Sequence, residues 1–449
     1  MKKGWEVKKL HEVVSFQRGL TYSKKDEVDF SSNIVLRSNN IDSPTNQLNL
    51  TELRYISDEI KVSTEKKVRK GSLIICTANG SKSHLGKVAL IDDDYGYAFG
   101  GFMGQLTPTR DLDSKYLFLV FNSEEYKLHI SQLSDGVNIN NLKFDDLKDF
   151  SFPVPKLSEQ QLVVSILDET FTAIDKAKQN AQRNLQNAKE LFESYLEDLF
   201  SHTARDWQEK KLGEITTKIG SGATPRGGNE SYKQEGISLI RSMNVHDRYF
   251  REKNLAFIDD AQAKDLNNVT LQEDDVLLNI TGASVTRCCV IPKEYLPARV
   301  NQHVSIIRPQ KEIINPYFLN LLLTSKFYKD QLIATGELGA TRQAITKAQL
   351  EDFTIRYPKL PKQLEIIKKL DALSAQCKKL EAIYQKKIDD LDELKKVILQ
   401  KAFSGELKSN DSKVLIPTPK KGNPRPPSVK MAREAKPTVT LPKRKPQKS

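Results

Sequence analysis

The chain has 449 residues, 38% of them hydrophobic, with 70 lysines and arginines against 58 aspartates and glutamates. That length exceeds what one hydrophobic core usually serves and predicts two or three domains, and with no apolar run of about 18 residues no transmembrane helix is expected. Of the formal charge of +12, residues 409–449 carry +9 and the remainder only +3, so nucleic-acid binding by the folded part has to be argued from local patches.

Trp5-Glu6-Val7-Lys8-Lys9-Leu10-His11-Glu12 opens a stretch of short apolar runs bounded by Gly, Asn, Asp and Pro, which predict strands and turns. The basic N-terminus lacks the apolar segment of a signal peptide. A helix is expected over residues 115–132, and a last strand begins at Phe150. Pro155 then opens more than forty residues without Pro or Gly. There Leu167, Phe171, Ile174, Ala181, Leu185, Ala188, Phe192, Tyr195 and Leu199 recur at steps of four and three, interrupted by Lys178. This heptad seam predicts a long helix that must pack on another helix.

The chain then repeats itself. Trp207-Gln208-Glu209-Lys210-Lys211-Leu212-Gly213-Glu214 matches the opening, and these are the only 2 tryptophans. Arg241-Ser242-Met243-Asn244 matches Arg37-Ser38-Asn39-Asn40, and the strand-like 276–284 matches 73–81. A helix over 316–333 answers that over 115–132, and Pro358-Lys359-Leu360 answers Pro155-Lys156-Leu157. The second heptad seam runs from Ile366 through Leu370, Cys377 and Ile388 to Ile398, and Gly405 ends the helix. The offset of about 200 residues indicates duplicated domains, since solenoid periods are about 20–50 residues.

The expected organisation is therefore α+β: two similar globules, residues 1–154 and 205–357, each followed by a long spacer helix, 155–204 and 358–408. The helices are expected to form an antiparallel coiled coil related by an internal pseudo-twofold axis. Residues 409–449, with 8 of the 19 prolines, are expected to be a disordered basic tail. That tail reads either as a solvated extension or as a non-specific phosphate-binding arm. The 4 cysteines have no spacing that suggests zinc or a disulfide framework, so a cytoplasmic, reduced protein is expected.

No phosphate-binding loop, His-Glu-x-x-His, Gly-x-Ser-x-Gly or Cys/His cluster is present. Asn315-Pro316-Tyr317-Phe318 lacks the second proline of the Asn-Pro-Pro-Tyr of amino-methyltransferases; Pro316 reads instead as a helix start. What remains is a set of loops rich in groups that contact DNA. In the first half these are Arg37, Ser38, Asn40, Thr77, Asn79, Ser81, Lys82, Asn138 and Asn140. In the second they are Ser221, Thr224, Arg226, Arg241, Ser242, Asn244, Thr281, Ser284, Thr286, Arg287, Asn301, Gln302, Arg342 and Gln343. Guanidinium and amide groups can make bidentate contacts to guanine and adenine edges, and hydroxyls and cations suit phosphates. Each loop, taken alone, also reads as an ordinary turn.

These features together resemble a specificity subunit of a type I restriction-modification system, over residues 1–407. The resemblance rests on Trp-x-x-Lys-Lys-Leu-x-Glu at the head of each half, Gly220-Ser221-Gly222-x-Thr224-Pro225, Arg241-Ser242-x-Asn244 and Asn301-Gln302. It extends to Phe353-Thr354-Ile355-Arg356-Tyr357-Pro358-Lys359-Leu360-Pro361-Lys362-Gln363 and to Gln400-Lys401-Ala402-Phe403-Ser404-Gly405-Glu406-Leu407. The first half departs from the pattern, with Gly100-Gly101-Phe102 where the second has Asn301-Gln302-His303.

The resemblance implies a prokaryotic defence protein in which each globule is a target recognition domain for half of a bipartite, asymmetric double-stranded DNA site. It implies that the helices set the gap and dock two modification subunits, which methylate adenine with S-adenosylmethionine. Restriction subunits using ATP and Mg complete the assembly. This chain would bind no cofactor or metal and would have no catalytic residue. Competing readings are a coiled-coil adaptor whose globules bind protein, against which the Arg- and Asn-bearing loops speak, and a fused nuclease-methyltransferase, against which the missing motifs speak.

Overall fold

A computed structural model describes residues 4–42, 45–81, 84–135, 141–202, 206–337 and 344–407. The expected tail at 409–449 lies outside the described residues. The chain divides into two compact units, Met1–Ala177 with Asp390–Ser449, and Lys178–Asp389. The division falls within the two long helices, Leu157–Ser201 and Leu360–Ser404, rather than at their ends.

In the first unit, Val14–Arg18, Met103–Pro108, Leu73–Cys76 and Val88–Leu90 form an antiparallel sheet in that spatial order. A second sheet orders Glu27–Val28, Arg54–Ile56, Asn33–Leu36 and Ala98–Phe99, the last two strands parallel. The second unit repeats both. Its first sheet is Thr216–Ser221, Val304–Pro309, Val276–Asn279 and Cys288–Val290. Its second is Ala256–Ile258, Ile237–Ile240 and Ala298–Val300, again with a parallel pair at the end. The central strands Leu73–Cys76 and Val276–Asn279 are buried at every residue, which is why they read as unbroken apolar runs.

The helical region expected at 115–132 is two helices, Ser114–Val120 and Glu124–Asp135, and that at 316–333 is Pro316–Thr324 and Lys326–Glu337. A serine restarts the helix in each case: Ser123 Oγ accepts from Tyr126 N, and Ser325 Oγ from Tyr328 N. Asn315 caps the helix that Pro316 opens, accepting from the amides of Tyr317 and Phe318, so Asn-Pro-Tyr-Phe here is a helix start.

Each globule hands over to its long helix through the same joint. Glu6–Lys9 pairs with Ser151–Val154, and Gln208–Lys211 with Thr354–Tyr357. Gln160 is fully buried at the start of the first helix. Its Oε1 accepts from Asp113 N, and its Nε2 donates to the carbonyls of Asp111 and Pro155. Gln363 makes the same three bonds to Asn315 N, Ile313 O and Pro358 O. Within the first unit the core joins Trp5, Tyr116 and Phe150 to Leu167 and Ile174 of the first helix and Ile398 and Phe403 of the second. Within the second it joins Trp207, Phe318 and Phe353 to Leu196 and Phe200 of the first helix and Ile366 and Leu370 of the second.

The heptad reading fixes which helix positions are covered. Between Ala181 and Tyr195 only the seam residues 181, 185, 188, 192 and 195 are not exposed. Among the described residues no helix is long and apolar enough to cross a membrane.

Candidate nucleic-acid interface

The two parallel strands at the edge of each second sheet deliver Arg37 and Arg241 to the same place. In each globule a tight turn follows, held by an asparagine side chain. Asn40 Oδ1 accepts from Arg37 N at 2.8 Å, and its Nδ2 donates to the carbonyls of Asn49 and Glu52. Asn244 Oδ1 accepts from Arg241 N at 3.1 Å, and its Nδ2 donates to Arg251 O. A second asparagine ties this turn to the end of the buried central strand: Asn79 Nδ2 donates to Ser38 Oγ, and Asn279 Nδ2 to Ser242 O and Ser284 Oγ.

The strand entering this region must pass close to the next one. A Cβ on Gly19 would lie 1.9 Å from Gly100 O, and one on Gly222 would lie 1.7 Å from Val300 O. Glycine is therefore required at both positions by contact. The Gly220-Ser221-Gly222 loop and Arg18-Gly19-Leu20 are thus one device, although their sequences differ.

In the first globule the turn borders an open cleft of about 1020 Å³, lined by Arg37, Ser38 and Asn79 among the expected residues. Tyr22, Lys24, Glu27, Arg54 and Phe102 also line it. Arg54 pairs with Glu27 at 3.1 Å. The Nε atoms of Arg37 and Arg54 are buried without a hydrogen-bond partner among the described residues, so both guanidiniums keep unused donor capacity. Burial raises the pKa of the Tyr22 hydroxyl, which stays protonated as a donor.

In the second globule Arg241 is more constrained. Its Nη2 donates to Asn254 O at 2.6 Å, and its guanidinium lies 5.1 Å from the centre of the Tyr232 ring. Beside it runs a chain of polar side chains. Thr224 Oγ1 donates to Gln302 Oε1, Gln302 Nε2 meets His303 Nε2 at 3.2 Å, and His303 Nδ1 meets Thr281 Oγ1 at 2.6 Å. Ser221, Arg226 and Gln302 are exposed, whereas Ser242, Thr281, Ser284 and Arg287 are partly so.

Five of the expected contact residues sit elsewhere than expected. Asn40 and Asn244 are buried, with their amides consumed by the chain itself, and cannot offer them to a base edge. Thr77 is buried where the loop bonds to Phe102 and Leu142. Thr286 is buried in a left-handed turn at φ 70°, and Asn301 is buried with its Oδ1 accepting from His303 N. These five support the loops instead of lining them. Ser81 is exposed, its amide donating to Asn79 Oδ1. Lys82, Asn138, Asn140, Arg342 and Gln343 lie outside the described residues.

Lys24, Arg54 and Tyr22 were missed by sequence reasoning because they reach the cleft from separate strands and turns, with no local motif. Asn279 was missed because it ends an apolar strand. Its signal is an asparagine closing a Val-Leu-Leu run; its Nδ2 is bonded, while its Oδ1 is buried without a partner among the described residues. Among the described residues no group of three or more His, Cys, Asp or Glu is placed to hold a metal ion.

Fold and site define a duplicated, two-domain α+β protein in which each domain gathers arginine, amide and hydroxyl side chains at equivalent places. The family described as the type I restriction modification DNA specificity domain matches residues 2–183 and 204–389, and the chain belongs to it. The StySPI specificity subunit of Salmonella potsdam is 24% identical over 429 residues, covering 90% of this chain and 89% of that protein. The HsdS subunit from Thermoanaerobacter tengcongensis shares the fold at a TM-score of 0.63 and 19% identity, covering 91% of this chain and 98% of that one. A chain from a type I R-M system, solved for its complex assembly and conformational transition, does so at 0.68 and 20%, covering 91% and 99%. The chain is thus of the kind that supplies DNA sequence specificity to a restriction-modification complex.

Proposed function

We propose that each globule reads one half of a bipartite, asymmetric double-stranded DNA site. The observation that carries this is the pairing of one backbone scaffold with two different sets of side chains. The Arg-Ser-x-Asn turn and the close-approach glycine recur in both globules. The groups around them differ: Tyr22, Arg54 and Phe102 in one, Thr224, Gln302 and His303 in the other. One scaffold with two surfaces suits two unlike half-sites.

The two long helices act in this reading as an antiparallel spacer, related by a pseudo-twofold axis, that fixes the unread gap. Lys395 Nζ lies 3.1 Å from Asp175 and 4.8 Å from the Phe171 ring centre, and the Cys377 thiol lies against the Phe192 backbone. Positions rising along one helix therefore meet positions falling along the other. The outward faces of the helices dock two modification subunits, and restriction subunits complete a cytoplasmic complex. S-adenosylmethionine, ATP and Mg belong to those partners, and this chain is non-catalytic.

Methylome sequencing of a host with and without the gene tests the reading. A bipartite adenine-methylated motif should disappear with the gene; a methylome unchanged by its loss would contradict the assignment.

A further inference from the structure

The two readers differ at one matching position of one turn. Phe102 O accepts from Thr77 N at 2.9 Å, and His303 O accepts from Ile280 N at 3.0 Å. Two residues earlier, Gly100 O accepts from Met103 N and Asn301 O from Val304 N. Phe102 and His303 thus occupy the same site in the same backbone. In the second globule the His303 ring is held in a polar chain between Thr281 and Gln302. In the first the turn is Gly100-Gly101-Phe102, so its only side chain is an aromatic ring, 74% exposed.

A single exposed apolar side chain is ordinary on a protein surface. The setting of Phe102 is not, because it stands on the wall of the cleft that also holds Lys24, Arg37 and Arg54. Glu27, on the same wall, offsets Arg54 at 3.1 Å, and the remaining positive charge of Lys24 and Arg37 suits an anionic ligand whose surface also offers something apolar at reach. On duplex DNA the phosphates supply the charge, and the one apolar group on a base edge in the major groove is the C5-methyl of thymine.

Building on the reading of the first globule as a DNA reader, we propose that Phe102 is a specificity-determining residue that recognises a thymine methyl in its half-site. The second globule, with Gln302 and His303 in the equivalent turn and Thr224 bonded to Gln302, reads by hydrogen bonds there and has no such methyl contact.

The test uses the full chain assembled with its modification subunits and the site mapped by methylome sequencing. Each thymine of that site is replaced in turn by uracil, which removes the methyl and leaves the pairing. One replacement, confined to one half-site, should weaken binding of the wild-type complex about three- to tenfold. Phe102→Ala should bind the thymine and uracil duplexes alike, with its response to the other half-site unchanged, and Phe102→Leu should retain part of the sensitivity. A half-site without such a thymine, or the same uracil sensitivity in Phe102→Ala, would overturn the proposal. So would an equal loss on both duplexes, which is the signature of a ring wedged between base steps. A bipartite motif with no uracil response would sink Phe102 alone, whereas no bipartite motif would sink the two-reader account with it.

Discussion

Arg37 and Arg241 stand at matching ends of matching strands, and what surrounds them sets how each can be used. Both leave Nε unpaired among the described residues, but Arg241 is held by Asn254 O and the Tyr232 ring, so its fork points in a fixed direction, whereas Arg37 faces an open cleft. A guanidinium committed to a base edge is worth about 1–3 kcal/mol of discrimination. Arg37→Ala and Arg241→Ala should each relax one half-site by that amount and leave the other intact, as measured by binding to duplexes with single-base changes. Equal relaxation of both half-sites by either substitution would contradict the division of labour. The asparagine three residues on shows where residue-level reading stops. Arg-Ser-x-Asn was visible as a repeated pattern, but whether its amide faces DNA or the protein depends on the carbonyls of Asn49, Glu52 and Arg251, which come from later loops.

The long helices were the most legible elements, because a heptad seam and the absence of Pro and Gly are local signals, and between Ala181 and Tyr195 the seam positions are the covered ones in the structure. The duplication was legible for the same reason: it compares the chain with itself. The break of each shorter helix at Ser123 and Ser325 was not, since a serine ends one helix and caps the next only when tertiary packing turns the chain there. Nor was the joint made by Gln160 and Gln363, where a surface-type residue in the first helical turn is fully buried. Gln363→Ala would leave Asn315 N and two carbonyls without their partner, at a cost of about 1–3 kcal/mol. The expected result is a lower unfolding midpoint together with faster amide exchange at Asn315 and in the first turn of the second helix. Unchanged exchange at Asn315 would show that the bond does not hold the joint.

At the scale of the whole molecule, the two halves share a scaffold but not a surface. Two readers alone would tolerate variable spacing; the proposed spacer, with its helices packed along an apolar seam, would not, because a heptad seam sets register residue by residue. In the proposed function these helices set the distance between the half-sites. Inserting one heptad into each, after Ala181 and after Ile388, preserves the seam and adds about 10 Å, close to three base pairs at about 3.4 Å each. Methylome sequencing of cells carrying the lengthened chain should return both half-sites unchanged with a gap about three base pairs longer, and an unaltered gap would contradict the account.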